Sequence, residues 1–428
     1  MKIIAPLLVL LWCPPFDKQD DPIPDDAPAE YRKAMEAGRA AILKKDWAHA
    51  AKSFGDALRT KPADKLREMA ERGFRTAIKN LEIYNARFGE LKEKTIRNYC
   101  GDKSDDLKKT VEAGLKWLVK MQKEDGHWSS RGHGHMADDR ATTALALMAL
   151  LADGNSEITG PFKDNVQRAL GWLLKHQRDD GGFSGASFYS EGIVVLCIVE
   201  AFVMGGTERA YEAAQKGINF IVKGQRKGGG WMYRVTDEPE CDGDVSVTGN
   251  VFQVLKQGQM AYLDFDDASL GRTAKFIENA TDENGWVYYR AYGGEKRHHK
   301  TFALTAIGNL IRLYSGKKLD EKGLQVVRDN RAEAKDNMYF MYFGTMLSFL
   351  AGGEAWSDWR DMMIPALMEK QVKEGDAAGS WKVEGALSLS GKGSNPLSEY
   401  LSDVDMSSLA LLSLQACYRY VPAKMMPK

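Results

Sequence analysis

One stretch of this sequence returns along the chain at intervals of about 50 residues. Residues 114–122 read GLKWLVKMQ, and the loop that follows contains Gly126 and Trp128. The same order of glutamine, glycine and aromatic residue recurs downstream as Gln177 with Phe183, Gln225 with Trp231, and Gln371 with Trp381. A self-similar period of this length is the signature of a repeat architecture, in which each unit buries its apolar face against its neighbours.

The repeat predicts six pairs of helices. A fourth copy keeps Gly285-Trp286 but has Ala280 in place of the glutamine, and about two periods separate it from the last copy, so one degenerate unit lies between them. Each amphipathic first helix is followed by a glycine-rich loop and a more apolar second helix, predicted at 142–151, 192–204, 247–261, 302–314, 338–350 and 407–420. Six amphipathic helices around six buried ones close into a double-walled ring, because an open solenoid would expose the apolar helices. We therefore predict an all-α fold, an α/α6 toroid, over residues 105–422.

The residues before the ring divide into three predicted segments. Residues 1–16 form a short apolar run behind Lys2, which indicates an export signal that is too short to span a bilayer. The alternative is a frayed N-terminus on a cytoplasmic protein. Residues 17–28 are acidic and proline-rich and predict a linker. Residues 29–99 resemble one helical tetratricopeptide unit that ends at Pro62 and continues into a third helix, and a single unit is expected to dock on the next domain as a cap.

Charge and cysteine content exclude several classes of protein. Lys+Arg and Asp+Glu both number 59 among the 428 residues, and no long basic run is present, so nucleic acid is not an expected partner. Any proximity to a membrane would come through the N-terminal segment. The five cysteines have no paired spacing and predict neither a zinc ribbon nor a dense disulfide framework, and their redox state stays open.

The glutamine-to-tryptophan units resemble those of the terpenoid cyclases (squalene and hopene cyclases) and of the protein prenyltransferase β-subunits. This resemblance implies an α/α-toroid of six hairpins. It also implies a structural role, tying successive outer helices together, for the repeated residues: Gln122, Trp128, Gln177, Gln225, Trp231, Trp286, Gln371 and Trp381. A glutamine at a helix end can satisfy free backbone groups there, which fits that role.

The loops that enter the inner helices are expected to meet at one mouth of the ring. They supply the candidate ligand-binding residues Asp139, Tyr189, Glu191, Tyr233, Asp244, Tyr289, His298, Tyr339 and Tyr342. The class II cyclases carry an Asp-x-Asp-Asp run at such an entry, and Asp403-Val404-Asp405-Met406 keeps two of its three acids. Asp403 and Asp405 are therefore the candidate acid pair, in which a shared proton would raise one pKa. The competing interpretation is that Asp139, Asp244 and Asp405 are N-caps of the inner helices.

Three other chemistries can be weighed from the sequence. The prenyltransferases hold zinc with an aspartate, a cysteine and a histidine at comparable entries. This chain offers the same residue types in Cys241, Asp242 and Asp244 with His298 or His299, but it lacks the Asp-x-Cys order. No metal or cofactor is therefore expected. His133 and His135 are interpreted as mouth-lining groups. A glycosidase would need two opposed acids, for which Glu191 with Asp139 or Asp405 are candidates. A Gly-Cys-Gly-Glu-Gln thioester run is absent.

Two functions from different classes remain. The first is a single toroid that binds an apolar, isoprenoid-like ligand or a protein partner without turnover. The second is an isomerase or transferase acting on isoprenoid substrates, as the resemblance implies. The inside of the ring separates a ligand-binding protein from a scaffold, because an aromatic cavity favours a terpenoid ligand whereas a filled ring favours a scaffold.

Overall fold

The computed structural model describes residues 22–44, 46–80, 86–130, 138–183, 187–234, 240–261, 263–293, 295–383 and 401–420. The chain divides into two compact units, Met1–Ala77 and Ile78–Lys428. The predicted export signal and the predicted histidines at the mouth, His133 and His135, lie outside the described residues.

Helices α1 (Ala29–Leu43), α2 (Trp47–Arg59) and most of α3 (Asp64–Asn80) form the first unit. The ring of buried Phe54 lies against Gly38 and Gly73, where an added Cβ would come within 2.8 and 2.5 Å of its carbon atoms. Glycine is therefore what allows these helices to approach. The likeness to a tetratricopeptide unit stays a prediction. The next helix, α4 (Gly89–Cys100), belongs to the second unit, whereas the sequence placed residues 29–99 in one segment.

The described part of the second unit contains six helical hairpins in chain order. The outer helices are α5 (Ser104–Met121), α7 (Lys163–Lys175), α9 (Glu208–Lys223), α11 (Ala268–Ala280), α13 (Glu321–Asp329) and α15 (Gly353–Lys370). The inner helices are α6 (Asp139–Ala152), α8 (Phe188–Gly205), α10 (Val245–Met260), α12 (Phe302–Tyr314), α14 (Met338–Ala351) and α16 (Asp403–Leu414). The degenerate unit is the pair α13 and α14.

The inner helices close into a ring. Each packs on the next in chain order, and α16 packs back on α6. They are buried almost all round, which explains their apolar composition. Among the described residues α8 alone is long and apolar enough to cross a membrane, and it is buried inside this ring. The predicted all-α toroid is confirmed.

A small antiparallel sheet interrupts the helical pattern, and the sequence did not predict it. Its strands are β1 (Gly243–Asp244), β2 (Tyr288–Tyr292) and β3 (Glu295–Lys300), in the order β1-β2-β3. Gly243 pairs with Ala291, which brings two loops that are far apart in sequence to the same end of the ring.

The repeated glutamines join neighbouring hairpins. The side-chain Nε2 of Gln225 donates to the carbonyl oxygen of Gly229 in its own loop and to that of Ser269 in the next outer helix, both at 2.9 Å. The same pair of bonds recurs in three other hairpins: Gln122 to Gly126 and Asn165, Gln177 to Gly181 and Ala213, and Gln371 to Gly379 and Thr110. One side chain thus satisfies carbonyls on two consecutive repeats.

The repeated tryptophans join the outer and inner layers. Trp231 Nε1 donates to the carbonyl oxygen of Ile221 at 2.8 Å, and its backbone N–H donates to Thr248 Oγ1 at 3.0 Å. Trp128 and Trp381 form the same bonds with Leu118 and Thr143, and with Leu367 and Ser407.

In the fourth hairpin the sequence alignment of the aromatic residue was one position out of register. Val287, not Trp286, donates its backbone N–H to the inner helix, to Thr305 Oγ1 at 3.2 Å, and Val287 is buried where the other hairpins bury an aromatic ring. Trp286 is only half-buried and packs against Phe302. The sequence alignment matched Gly285-Trp286 to Gly230-Trp231, and this match of residue types concealed the shift of one position.

An ion network closes the ring where the inner helices end. Glu200 on α8 accepts from Arg87 at 2.7 Å and from Arg419 at 2.8 Å, and all three side chains are buried. Arg419 lies on the short helix α17 (Ala416–Arg419). Buried charges of this kind need all their partners, because an unpaired one carries a large desolvation cost.

Candidate functional site

The centre of the ring contains a cavity of about 320 Å³. All six inner helices contribute to its wall, and their first turns surround it, as the convergence of the entry loops predicts. The apolar part of the wall consists mainly of Leu145, Met148, Ile193, Leu196, Leu304, Phe343, Leu401 and Leu409. The interior of this toroid is therefore not filled by its own side chains.

All five predicted tyrosines line this cavity: Tyr189, Tyr233, Tyr289, Tyr339 and Tyr342. The rings of Tyr189 and Tyr233 are stacked with centroids 6.2 Å apart, and the hydroxyl of Tyr289 lies 3.4 Å from that of Tyr233. Burial raises the pKa of Tyr189, Tyr233 and Tyr289 above the ordinary value. These phenols are therefore neutral hydrogen-bonding groups around an aromatic chamber.

Asp244 lies behind the tyrosines and outside the cavity wall. Its Oδ1 accepts from the backbone N–H and the hydroxyl of Ser246, at 2.9 and 2.6 Å, and from the N–H of Val247, so it is the N-cap of α10. The Nε of Arg290 on β2 lies 3.7 Å from its Oδ2. Burial raises the pKa of this carboxyl, while the bonds from Ser246 act against the shift. The contacts of Asp244 thus stabilise the first turn of α10.

Asp405 lines the cavity and is 3% exposed. Its Oδ2 accepts from the backbone N–H and the hydroxyl of Ser402, at 2.8 and 2.7 Å, in a capping box at the start of α16. Burial raises the pKa of Asp405, and the bonds from Ser402 act against the shift. The N-cap of α16 is Ser402, so Asp405 caps the helix from its third position.

The structure does not bring the candidate acid pair together. Asp403 faces away from the cavity: its Oδ2 accepts from Lys382 at 2.7 Å and its Oδ1 accepts from the N–H of Val383 at 3.0 Å. The prediction that Asp403 shares a proton with Asp405 is therefore wrong. Two positions apart, the two carboxylates lie on different sides of the first helical turn.

At the start of α6 the cavity residue is Asp138, not the predicted Asp139. Asp139 accepts from the N–H and hydroxyl of Ser130 and does not line the cavity. Asp138 is the N-cap, with Oδ1 accepting from Arg140, and it lines the cavity. Its buried Oδ2 has no hydrogen-bond partner in the described part of the chain. The two adjacent aspartates gave the sequence no way to choose between them.

Glu191 has a structural position. Its carboxylate accepts from the N–H of Phe183 at 3.0 and 2.8 Å, where four other hairpins use a threonine or serine hydroxyl. Glu191 is 2% exposed and absent from the cavity wall. The acid pairs considered for a glycosidase, Glu191 with Asp139 or Asp405, are therefore not assembled around the cavity.

Other polar groups of the wall were not singled out from the sequence. Thr142 lies in the first turn of α6 and Asn250 in the second turn of α10, where a polar residue in an apolar helix was the available signal. Asn250 Nδ2 and Tyr339 Oη are buried and form no hydrogen bond within 3.5 Å among the described residues. The cavity therefore offers both hydrogen-bonding and apolar surface.

The histidines and cysteines of the metal hypothesis are not gathered at the site. Among the described residues there is no group of three or more histidine, cysteine, aspartate or glutamate side chains that could hold a metal ion. Cys241 Sγ donates to the carbonyl oxygens of Gly243 and Ala291. The side chain of His298 lies outside the described part, and His299 lines the cavity, stacked on Tyr289.

Comparisons with known proteins agree with this architecture. Residues 95–276 match the family model of the prenyltransferase alpha-alpha toroid domain. Terpentedienyl-diphosphate synthase of Kitasatospora griseola is 31% identical over 104 residues, which are 24% of this chain and 20% of that protein. Squalene–hopene cyclase of Zymomonas mobilis is 22% identical over 246 residues, which are 49% of this chain and 36% of that protein. The predicted resemblance to the toroid superfamily is confirmed.

The fold is also shared with proteins of other chemistry. The α-1,6-mannanase GH76A of a Salegentibacter species superposes with a TM-score of 0.51 at 12% identity, covering 73% of this chain and all of that one. The present chain spans only a fifth to about a third of the length of the two curated relatives that it matches. The toroid is thus related to terpene cyclases and prenyltransferases by sequence, and to a glycosidase by fold alone.

Proposed function

We propose that the ring binds an apolar, isoprenoid-like small molecule in its central cavity. The observation that carries the proposal is the cavity of about 320 Å³, with leucines and other aliphatic side chains below and five tyrosines above. Aliphatic walls favour a hydrocarbon body, and pockets of this size hold small ligands. A protein partner is the alternative occupant, but a recessed cavity lined by all six inner helices supports a small molecule better than a flat surface would.

The polar groups of the wall add a requirement on the ligand. Asp138 Oδ2 is buried without a hydrogen-bond partner among the described residues, and Asn250 Nδ2 and Tyr339 Oη, which interact with the Tyr189 hydroxyl, form no bond there within 3.5 Å; all three residues line the cavity. Leaving such groups without partners costs free energy, which a ligand with a hydroxyl or carbonyl group would offset. The ligand that fits best has an apolar chain and one polar end near the first turns of α6, α10 and α14.

Binding can be tested with purified protein and defined probes. Geranylgeraniol and squalene are titrated against the protein by intrinsic fluorescence and native mass spectrometry, with α-1,6-mannotriose as the competing class of ligand. Leu409→Trp, which fills the cavity from α16, is expected to weaken isoprenoid binding at least tenfold. Ile158→Trp, on an exposed side chain, is the matched control. Binding of mannotriose alone, or full affinity in Leu409→Trp with an unchanged melting temperature, would contradict the proposal.

An acid-catalysed isomerase is the second candidate, and the geometry of Asp405 favours it. Because Oδ2 accepts two hydrogen bonds from Ser402, a protonated carboxyl would carry its hydrogen on Oδ1. A buried carboxyl with a raised pKa beside a cavity is suited to donate a proton to an alkene, and the surrounding π faces suit a developing cation. Product formation from squalene or geranylgeraniol by the parent and not by Asp405→Asn supports this candidate; binding without turnover leaves the toroid a binding protein.

A further inference from the structure

Two cysteines that are distant in sequence meet inside the second unit. Cys100 is the last residue of α4 and Cys417 lies on α17, and their Sγ atoms are 3.4 Å apart across 317 residues of sequence. The two residues are 3% and 1% exposed. The other two described cysteines, Cys197 and Cys241, are also buried, and the Sγ of Cys241 faces backbone carbonyls.

We propose that Cys100 and Cys417 are a disulfide site. A disulfide needs sulfurs about 2.05 Å apart, so the two thiols must approach by about 1.4 Å, which a side-chain rotation with a small shift of the short helix α17 can supply. Helices α4 and α17 already pack against each other, so the required approach is local. The proposal does not depend on what the cavity binds.

The chemistry is a thiol–disulfide exchange. One thiolate attacks an external disulfide, such as oxidised glutathione or the active-site disulfide of a thiol oxidase, which forms a mixed disulfide and releases one external thiolate. The second protein thiolate then attacks the protein sulfur of the mixed disulfide and releases the other external thiolate. The two protein thiols lose two protons and two electrons to form the S–S bond, and the oxidant is reduced to two thiols. Hydrogen bonding with Cys100 and burial raise the pKa of Cys417, so the buried pair reacts slowly. The bond therefore forms before α17 docks or when it opens.

The disulfide would stabilise the end of the ring where the inner helices end and where Glu200, Arg87 and Arg419 form their ion network. Arg419, two residues after Cys417, pairs with Glu200, and Tyr418 donates to Asp153 at 3.2 Å. Lys92 on α4 pairs with the same Asp153 at 2.6 Å. Helices α4 and α17 thus already meet at Asp153, and a covalent bond between them would hold the Arg419–Glu200 pair in place.

The test counts thiols and maps linkages. The full chain is produced in a reducing cytoplasm and in an oxidising compartment, alkylated with iodoacetamide in denaturant, and digested without reductant. In the oxidised sample the peptides carrying Cys100 and Cys417 are expected as one linked species, two hydrogens lighter than the sum of the two. Oxidised protein is expected to melt about 5 °C higher than the same protein after reduction.

Control variants separate this bond from a general effect of oxidation. Cys100→Ser should abolish the linked species and the melting difference, whereas Cys197→Ser should retain both. A linkage of Cys100 or Cys417 to another cysteine, or two alkylated thiols at these positions after folding in a glutathione redox buffer, would overturn the proposal. Should Cys100→Ser fail to fold, the peptide map of the parent decides alone.

Discussion

The side-chain Nε2 of Gln371 donates to the carbonyl oxygen of Thr110 at 2.9 Å and so ties the last hairpin to the first outer helix. The equivalent bonds of Gln122, Gln177 and Gln225 each reach the next hairpin along the chain. The final one has no next hairpin and returns to the beginning. The hydrogen bond that links neighbours elsewhere therefore closes the ring here.

Removing that closure should destabilise the second unit. Gln371→Ala removes the side-chain donor that joins the carbonyls of Thr110 and Gly379, and we expect it to cost about 2–3 kcal/mol in the free energy of unfolding, measured with urea. Gln325→Ala, on an exposed glutamine of α13, is the control and should stay within about 0.5 kcal/mol. Equal effects of the two would mean that the closing bond contributes nothing.

The register of the fourth hairpin predicts unequal tryptophans. Trp231→Ala empties a fully buried site and removes the bond to Ile221, so we expect a loss of about 3–5 kcal/mol. Trp286→Ala, at the half-buried position before Val287, should cost about 1 kcal/mol. Urea unfolding of both variants measures the difference. If Trp286→Ala lowers the free energy of unfolding as much as Trp231→Ala does, Trp286 and not Val287 takes the position of Trp231 in the fourth hairpin.

Two glycines of the second hairpin should respond in opposite directions to alanine. Gly181 has φ of +94°, and a Cβ there would lie 2.3 Å from the carbonyl oxygen of Lys216, so Gly181→Ala should cost at least about 2 kcal/mol. Gly171 lies inside α7 with open space around its Cα, and Gly171→Ala should stabilise by about 0.5–1 kcal/mol. Differential scanning calorimetry can measure both; a stabilising Gly181→Ala would show that the loop adapts freely.

The ion pairs of Glu200 with Arg419 and Arg87 should make the free energy of unfolding depend on pH in the acid range. Burial alone would raise its pKa, but Arg419 and Arg87 outweigh burial and hold the pKa below its ordinary value. Its stabilising contribution is therefore present above the unfolded-state pKa and is lost as the pH falls through the lower folded-state pKa. Glu200→Gln should cost about 3–5 kcal/mol near neutral pH, because it leaves two buried guanidinium groups without a counter-charge.

The measurement for Glu200 is the unfolding free energy from about pH 3 to pH 7. The difference between parent and Glu200→Gln should shrink towards acid. Glu354→Gln, which removes an exposed partner of Arg328, should have little effect at any pH. A parent–variant difference that does not change with pH would mean that the carboxylate charge of Glu200 is unimportant.

Asp405 should have the opposite pH dependence. Because the folded protein raises the pKa of Asp405, the native state binds its proton more readily than the unfolded chain does, and the parent loses stability as the pH rises from the ordinary value near 4 to the raised one. Asp405→Asn keeps an acceptor for Ser402 and lacks this loss, so relative to the parent the variant should become more stable from about pH 4 to pH 7. Asp403→Asn, at the surface ion pair with Lys382, is the control. Parallel curves for parent and Asp405→Asn would show that burial does not perturb this carboxyl.

The sequence by itself determined the repeat, the number of hairpins and the assignment of outer and inner helices. These follow from local periodicity, since an amphipathic helix must face a core and an apolar helix must lie within one. The repeated glutamines and tryptophans could also be identified from the sequence, because they recur at the same place in successive repeats. The five tyrosines of the cavity were also predicted: Tyr189, Tyr339 and Tyr342 stand in the first two turns of inner helices, and Tyr233 and Tyr289 lie in the segments that lead to the next two.

The tertiary structure alone decided which atoms face the cavity. Asp138 and Asp139 are neighbours with the same chemistry, and only the direction of the first turn of α6 places one in the wall and binds the other to Ser130. The same direction separates Asp403 from Asp405. The meeting of Cys100 with Cys417 depends on ring closure, which brings together positions 317 residues apart. A linear sequence records residue types and spacing, whereas side-chain direction and contacts across a closed ring are set by packing.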